Sequence, residues 1–274
     1  MHMLSALLAS KDFSLVWSAA IERSVGALYV DNSVVATLSA LESGPLRPRD
    51  LERLTLRSST AVTRTLDRLE TAGDVERIEH AISSDQRAVT VRITRLGRRR
   101  ERGIFAAASS SAGEIRVPIE EAIRNLELLT PVGTGHPVRE VGSMSGTCMV
   151  LGRLGMIVGS ATEATLDGLD INGALALCQL AARSPTRPTA LTDRLGMTSG
   201  GMTKLLDRLE SVGFVERTYG RVNSDRRGVE VYLSPVGRVR LERFLSDVEP
   251  YAEELLEAFR DVNAHLSAPD RPGR

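Results

Sequence analysis

Cysteine, histidine and net charge are what this sequence lacks. Two cysteines, Cys148 and Cys178, cannot form a disulfide framework, and no metal-type cysteine pair exists. A reducing, cytosolic compartment fits that usage. The four histidines, His2, His80, His136 and His265, are scattered without metal-ligand spacing, so no metal is expected. The 35 basic and 35 acidic residues cancel, which excludes a uniformly basic nucleic-acid coat and an acidic tail protein. No basic segment precedes a hydrophobic run at the N-terminus, so no signal peptide is expected. The most apolar stretch, 141–161, contains Arg153 and five glycines and reads as a buried helix rather than a membrane span. Gly133 and Gly135 follow no strand and lack a third glycine, and residues 167–170 are too short for a calcium loop. With no nucleophile elbow and no phosphate-binding loop, an enzyme is not expected, and no cofactor is called for.

What the chain does contain is a globular composition, 42% apolar and 26% charged over 274 residues, and an internal repeat. Leu66-Asp67-Arg68-Leu69-Glu70 returns as Leu206-Asp207-Arg208-Leu209-Glu210. Gly73 returns as Gly213, and Val75-Glu76-Arg77 as Val215-Glu216-Arg217. Ser84-Asp85, Arg87, Val89, Val91 and Gly97 return as Ser224-Asp225, Arg227, Val229, Val231 and Gly237. Each pair is 140 residues apart. The chain therefore reads as two copies of one module, 1–135 and 136–274, joined by the turn-rich linker 130–137.

The second copy is the cleaner one. Residues 190–195 read as a short helix stopped by Gly196, and Thr198 as the N-cap of a helix running to Ser211. Met202, Leu205, Leu206 and Leu209 fall at helical spacing, which leaves Ser199, Thr203 and Lys204 on the other side. Gly213 suits a helix C-terminus. Two alternating strands, 214–217 and 229–233, flank a polar turn. A helix-turn-helix followed by a hairpin is a winged helix. The first copy gives the same order: a helix from Pro48, one from Ser58 to Ala72, strands 75–78 and 89–93, and a wing tip at 83–87. The winged helices span about 33–97 and 172–237. Between its first helix and Thr63, copy 1 reads as one residue longer, with Thr55 in place of the turn glycine.

Amphipathic stripes flank the modules. They are Phe13, Val16, Trp17 and Ala20; Ile119, Ile123 and Leu126; and Tyr251, Leu255, Phe259 and Val262. Pro118 and Pro250 are placed in the first turn of the last two helices. The fold expected is mainly α with small β-wings: two winged helix-turn-helix lobes on a shared helical scaffold.

The motifs Leu195 to Lys204, Leu206 to Glu210, Gly213, Val215 to Arg217, Asp225-Arg226-Arg227 and the closing Thr/Ser-x-x-Gly (Thr94 to Gly97, Ser234 to Gly237) resemble the MarR family of bacterial transcriptional regulators. The resemblance covers most of both copies. Members are normally homodimers of about half this length with interlocked terminal helices. The resemblance thus implies a covalent pseudo-dimer, monomeric as a chain and without a membrane. Its halves associate independently of concentration.

Charge is segregated to match. Residues 47–102 hold 14 basic and 9 acidic side chains, and residues 187–243 hold 11 and 7, while the remainder is acidic. A local basic footprint is what phosphate binding needs. The second helix of each module is assigned to the major groove. Its candidate contacts are Ser58, Ser59, Thr60, Thr63 and Arg64 in copy 1. In copy 2 they are Thr198, Ser199, Gly200, Thr203 and Lys204. Ser58 and Thr198 read equally as plain N-caps. The resemblance implies that wing arginines enter the minor groove. That assigns Arg87 in copy 1, where Gln86 stands at the position of Arg226, and Arg226 and Arg227 in copy 2. Arg68 and Arg208 read as structural ion-pairing residues, and Cys178 as a small buried hydrophobe. A small aromatic or phenolic effector is implied by the resemblance alone, and Trp17 and Phe13 read first as core.

The expected function is a sequence-specific, double-stranded DNA-binding transcriptional regulator, with repression as the expected sign, cytoplasmic and on the nucleoid when bound. The operator is expected to combine unlike half-sites. Two alternatives stay open: a pseudo-dimer that binds ligand or protein but not DNA, and an architectural DNA binder with low sequence preference.

Overall fold

The computed structural model describes residues 1–55, 57–79, 89–130, 155, 158–166, 168–219 and 228–267. Its helices are α1 (His2–Ser24), α2 (Asn32–Leu41), α3 (Pro48–Thr55), α4 (Ser59–Thr71), α5 (Arg95–Ser110) and α6 (Ala112–Glu127). They continue with α7 (Ile171–Ala182), α8 (Pro188–Leu195), α9 (Ser199–Ser211), α10 (Pro235–Val248) and α11 (Ala252–Ser267). Two hairpins complete the described chain, β1 (Val75–Ile78) with β2 (Thr90–Ile93), and β3 (Val215–Tyr219) with β4 (Val229–Leu233). The fold is mainly helical with two small antiparallel sheets, the winged-helix class.

The chain divides into two compact units. One comprises Met1–Leu15, Glu121–Thr134 and Met156–Leu256; the other comprises Val16–Glu120, Gly135–Gly155 and Glu257–Arg274. Each contains one helix-helix-helix-hairpin-helix run.

In the unit holding α4, Asp31 caps α2 by accepting from the Ser33 amide at 2.9 Å. Leu38, Leu41, Leu51, Val62, Leu66, Leu69, Val91 and Ile104 are buried at helical and strand spacing and form the core. β1 and β2 pair with Val75 opposite Ile93 and Ile78 opposite Thr90. Leu46 exchanges both backbone hydrogen bonds with Val91, at 3.0 and 2.8 Å, which ties the segment before α3 to the sheet.

In the unit holding α9, Asp170 caps α7 through the Gly173 amide at 3.1 Å. Leu177, Leu180, Leu191, Leu195, Met202, Leu206, Leu209, Phe214, Val231 and Phe244 are buried. β3 and β4 pair with Val215 opposite Leu233 and Tyr219 opposite Val229. Thr186 takes the place of Leu46, bonding Val231 at 3.0 and 2.9 Å.

The closing Thr/Ser-x-x-Gly motif has a double task. Thr94 Oγ1 accepts from the Gly97 amide at 3.1 Å and donates to the Gly73 carbonyl at 2.8 Å. Ser234 Oγ does the same with Gly237 and Gly213, at 2.9 and 2.6 Å. One hydroxyl thus starts the helix after the wing and closes the turn before it. A Cβ on Gly97 would stand 2.2 Å from the Asp74 carbonyl oxygen, and one on Gly237 would stand 2.1 Å from that of Phe214. Glycine is required there for close backbone approach. The turn glycines Gly73 and Gly213 have φ of 76° and 74°, the left-handed C-terminal conformation expected for Gly213.

Several expectations are corrected. α3 and α8 both have eight residues, α4 and α9 both have thirteen, and all four start 140 residues apart in pairs. Copy 1 therefore carries no extra residue before Thr63. Leu56, outside the described residues, holds the sequence position of Gly196, and Thr55 is the last residue of α3. Pro118 lies inside α6, not in its first turn. Proline there removes an internal hydrogen bond at a cost of about 3 kcal/mol. Burial of Ile115, Ile119, Ala122 and Leu126 offsets that. Tyr251 is exposed, because it ends a 3₁₀ turn before α11, and the buried stripe is Leu255, Leu256, Phe259 and Val262.

α1 is long and apolar enough to cross a membrane by length and composition. Its Met3, Leu4, Leu7, Phe13, Trp17 and Ile21 are buried in the protein, as core residues are. The linker beyond Thr130, most of the apolar stretch after Val141, Cys148 and the wing tips lie outside the described residues.

Candidate nucleic-acid interface

The two second helices present the same design. On α4, Val62, Thr65, Leu66 and Leu69 are buried, while Ser59, Thr60, Thr63, Arg64 and Asp67 are exposed on the other face. Those five residues line an open surface hollow of about 390 Å³. On α9, Met202, Leu205, Leu206 and Leu209 are buried, leaving Ser199, Gly200, Thr203, Lys204 and Asp207 exposed.

Both N-termini are capped as expected. Ser58 Oγ accepts from the Ala61 amide at 3.4 Å, and Thr198 Oγ1 from the Gly201 amide at 3.1 Å. The remaining first-turn amides point outward with the positive end of the helix dipole, a setting that favours anions. Thr203 donates its hydroxyl proton to the Ser199 carbonyl at 3.0 Å, so toward a ligand it can only accept. A Cβ on Gly200 would meet nothing within 4 Å, so no packing demand requires glycine at that position.

The outward face carries a carboxylate in each copy, and each is compensated. Arg77 on β1 bonds Asp67 at 2.6 Å and also pairs with Glu70. Arg217 on β3 bonds Asp207 at 2.7 Å and lies 3.5 Å from Glu210. Surface pairs of this kind contribute at most about 1 kcal/mol to stability. Their larger effect is on the field, because each guanidinium screens two carboxylates that would repel phosphate near Arg64 or Lys204. The reading of the sequence assigned no role to Arg77 and Arg217. The signal was present in the joint recurrence of the Leu-Asp-x-Leu-Glu and Val-Glu-Arg motifs. Arg57, exposed beside the Ser58 cap, was likewise missed.

Arg68 and Arg208 are anchored behind these faces. Arg68 pairs with the α2 cap Asp31 at 2.7 Å. Arg208 instead donates to the Gly168 carbonyl at 2.7 Å, so its described partner is backbone and not the acid expected. Arg87, Arg226 and Arg227 lie outside the described residues. Cys178 is buried, and desolvation pushes its thiol up to about 12, which makes it inert. Among the described residues no group of histidine, cysteine, aspartate or glutamate could hold a metal ion.

The copies differ beneath the wing. At the position of the buried Phe214, copy 1 has a buried carboxylate, Asp74. Tyr29 donates to it at 2.6 Å and Arg100 lies 3.1 Å away, with its guanidinium 5.2 Å from the Tyr29 ring centroid. Burial, together with the hydrogen bond to Asp74, raises the Tyr29 hydroxyl pKa. Glu101 replaces the buried Leu241.

A winged helix whose second helix exposes hydroxyls and a basic side chain, Arg64 or Lys204, on its outward face is an architecture that nucleic-acid-binding modules use. Residues 171–229, from the first residue of α7 to the first of β4, match the model of the MarR family. This segment is similar to MarR family domains, and MarR family homologues are DNA-binding transcriptional regulators. No curated protein matches the chain. Among solved structures, a mutant MarR from Escherichia coli complexed with operator DNA is 28% identical, covering 39% of this chain and 74% of that one, with a TM-score of 0.35. Wild-type apo MarR from Escherichia coli is 24% identical over 43% and 84%, with a TM-score of 0.36. The YusO protein from Bacillus subtilis is 20% identical over 35% of this chain, with a TM-score of 0.31. The match spans 64% of YusO, under two thirds of its length.

Proposed function

We propose that the protein is a sequence-specific, double-stranded DNA-binding transcriptional regulator, a repressor, in which one chain supplies both winged helices of a pseudo-dimer. The modules are 1–135 and 136–274. The observation that carries this reading is the pair α4 and α9. They are equal in length, 140 residues apart, capped alike, and each has its outward carboxylates screened by a wing arginine. The basic excess of 47–102 and 187–243 supports the same assignment.

On this reading α4 and α9 enter successive major grooves, and Arg87, Arg226 and Arg227 reach the flanking minor grooves. The two helices begin in equivalent places yet carry different chemistry. Thr60 and Arg64 on α4 answer to Gly200 and Lys204 on α9. Toward phosphate, arginine offers a bidentate fork and lysine a point charge, and Thr60 carries a hydroxyl that Gly200 lacks. The operator is therefore asymmetric, with unlike half-sites. A small aromatic or phenolic effector shifts the spacing of the two helices, and the protein works in the cytoplasm.

The test is fluorescence anisotropy with a duplex selected from a random pool, against its scrambled version, over a series of salt concentrations. The reading expects the selected duplex to win by about a thousandfold or more. Equal, weak and steeply salt-dependent binding would favour an architectural binder. No binding to either would favour a ligand- or protein-binding pseudo-dimer.

A further inference from the structure

The turn between α8 and α9 is reached by a segment far away in sequence. Gly196 adopts φ 60° and ψ 37°, and its amide bonds the Asp193 carbonyl at 3.3 Å. A Cβ placed on Gly196 would stand 2.3 Å from Leu15 Cδ2 and 3.6 Å from Leu15 Cγ. The Leu15 side chain therefore lies flush on the turn backbone, two residues before the Thr198 cap. Asp12, one helical turn earlier on α1 and on the same face, interacts electrostatically with Arg194 at the end of α8. Glu121 on α6 adds a second carboxylate there. Desolvation first, then Glu121, raises the Asp12 pKa, while Lys11 and Arg194 oppose the shift. One Arg194 guanidinium nitrogen is buried with no hydrogen-bond partner among the described residues, and the charge of Asp12 acts on this guanidinium. All of these residues belong to one compact unit.

We propose that Leu15 of α1 is a positioning residue for DNA recognition by the second winged helix. The segment that opens copy 1 sets the helix that copy 2 uses to read its half-site. The inference rests on the DNA-binding reading for its consequence, but its mechanical part stands without DNA. Leu15 meets the backbone at the turn between α8 and α9, and the charge of Asp12 acts on Arg194 in the last turn of α8. A shift of α1 moves the start of α9 directly, with no intervening side chain to absorb it. A signal that reaches the Met1–Leu15 part of α1 is thereby passed to the second winged helix.

The test uses the full chain and the Leu15→Ala variant in two measurements. Hydrogen exchange is read first, without DNA. The amides of Met202 to Leu206 on α9 are expected to exchange about tenfold faster, with those of Val62 to Leu66 on α4 unchanged. Unchanged protection on α9, or an equal loss on both helices, overturns the proposal. Hydroxyl-radical footprinting on the selected duplex follows. Protection of one half-site should weaken while the other is kept. If wild-type protein gives no footprint, the DNA reading fails, and the exchange result still decides the mechanical claim. Should Leu15→Ala fold poorly, Gly196→Ala replaces it in a double-mutant cycle with Leu15→Met. The loss of α9 protection in Gly196→Ala is expected to depend on the residue at 15. Additive effects would contradict the contact.

Discussion

Glu101 offers a direct check on how the first copy is built. It lies on α5 with 6% of its surface exposed, where the second copy has the buried Leu241. Burial, reinforced by the charge of Glu42, raises its pKa from 4.5 to about 7, while Arg102 and Arg98 oppose the shift. Arg98 lies 3.7 Å from Glu42, so it is shared between the two acids. The consequence for stability has a definite sign. Below pH 4.5 the carboxyl is protonated in both folded and unfolded chains and costs nothing. As pH rises toward 7, the unfolded chain ionises first and the folded state loses about 1.4 kcal/mol per pH unit. Above pH 7 the loss is complete, at about 3 kcal/mol. Glu101→Gln keeps the shape and removes the charge. Its stability relative to wild type should therefore rise by about 2 to 3 kcal/mol between pH 5 and pH 9. Urea unfolding followed by far-UV circular dichroism, on both proteins at both pH values, reads that difference directly. Other titrating groups are common to the two proteins and cancel. A difference between the proteins that is the same at pH 5 and pH 9 would refute the buried, proton-holding carboxyl.

Other expectations follow from the same contacts. Gly237→Ala drives a Cβ against the Phe214 carbonyl and should cost about 1–3 kcal/mol or more in chemical denaturation, because backbone cannot rotate away. Gly200→Ala meets open space and should leave thermal stability equal or higher by up to about 1 kcal/mol. In anisotropy titrations the same variant should weaken binding to the selected duplex, where an added methyl keeps the helix backbone off the DNA. Tyr29→Phe removes the 2.6 Å hydrogen bond to Asp74 and should cost about 1.5–3 kcal/mol, the range for bonds to charged groups. In alkylation at pH 8 read by peptide mass mapping, Cys178 should stay unlabelled in native protein and react fully in urea. Labelling in the native state would contradict its burial.

The winged-helix plan was legible because it rests on local signals. Caps at Ser58 and Thr198, left-handed glycines at Gly73 and Gly213, and alternating strands each set one boundary. The 140-residue recurrence made the second copy a guide to the first. The same guide misled at the turn. Anchoring on Gly196 matched it to Thr55, whereas the ends of the helices match it to Leu56. A single glycine is a weaker alignment anchor than two capped helix starts. Pro118 was misplaced because proline usually marks a first turn, while here the buried face of α6 outweighs the lost bond. Asp74 with Tyr29 and Arg100 was invisible, since its three members come from separate elements and Asp74 occupies an aromatic position of the other copy. Arg77 and Arg217 were seen as recurring letters. Only the distance to Asp67 and Asp207 gives them the task of screening charge.

The central claim is that one chain occupies a whole operator with two unlike reading helices. Native mass spectrometry of the protein on the selected duplex, paired with a footprint of that complex, tests it most directly. The account predicts one chain per duplex, protecting two dissimilar half-sites about 10 base pairs apart or a multiple of that spacing. Two chains per duplex, or a footprint with perfect two-fold symmetry, would contradict it.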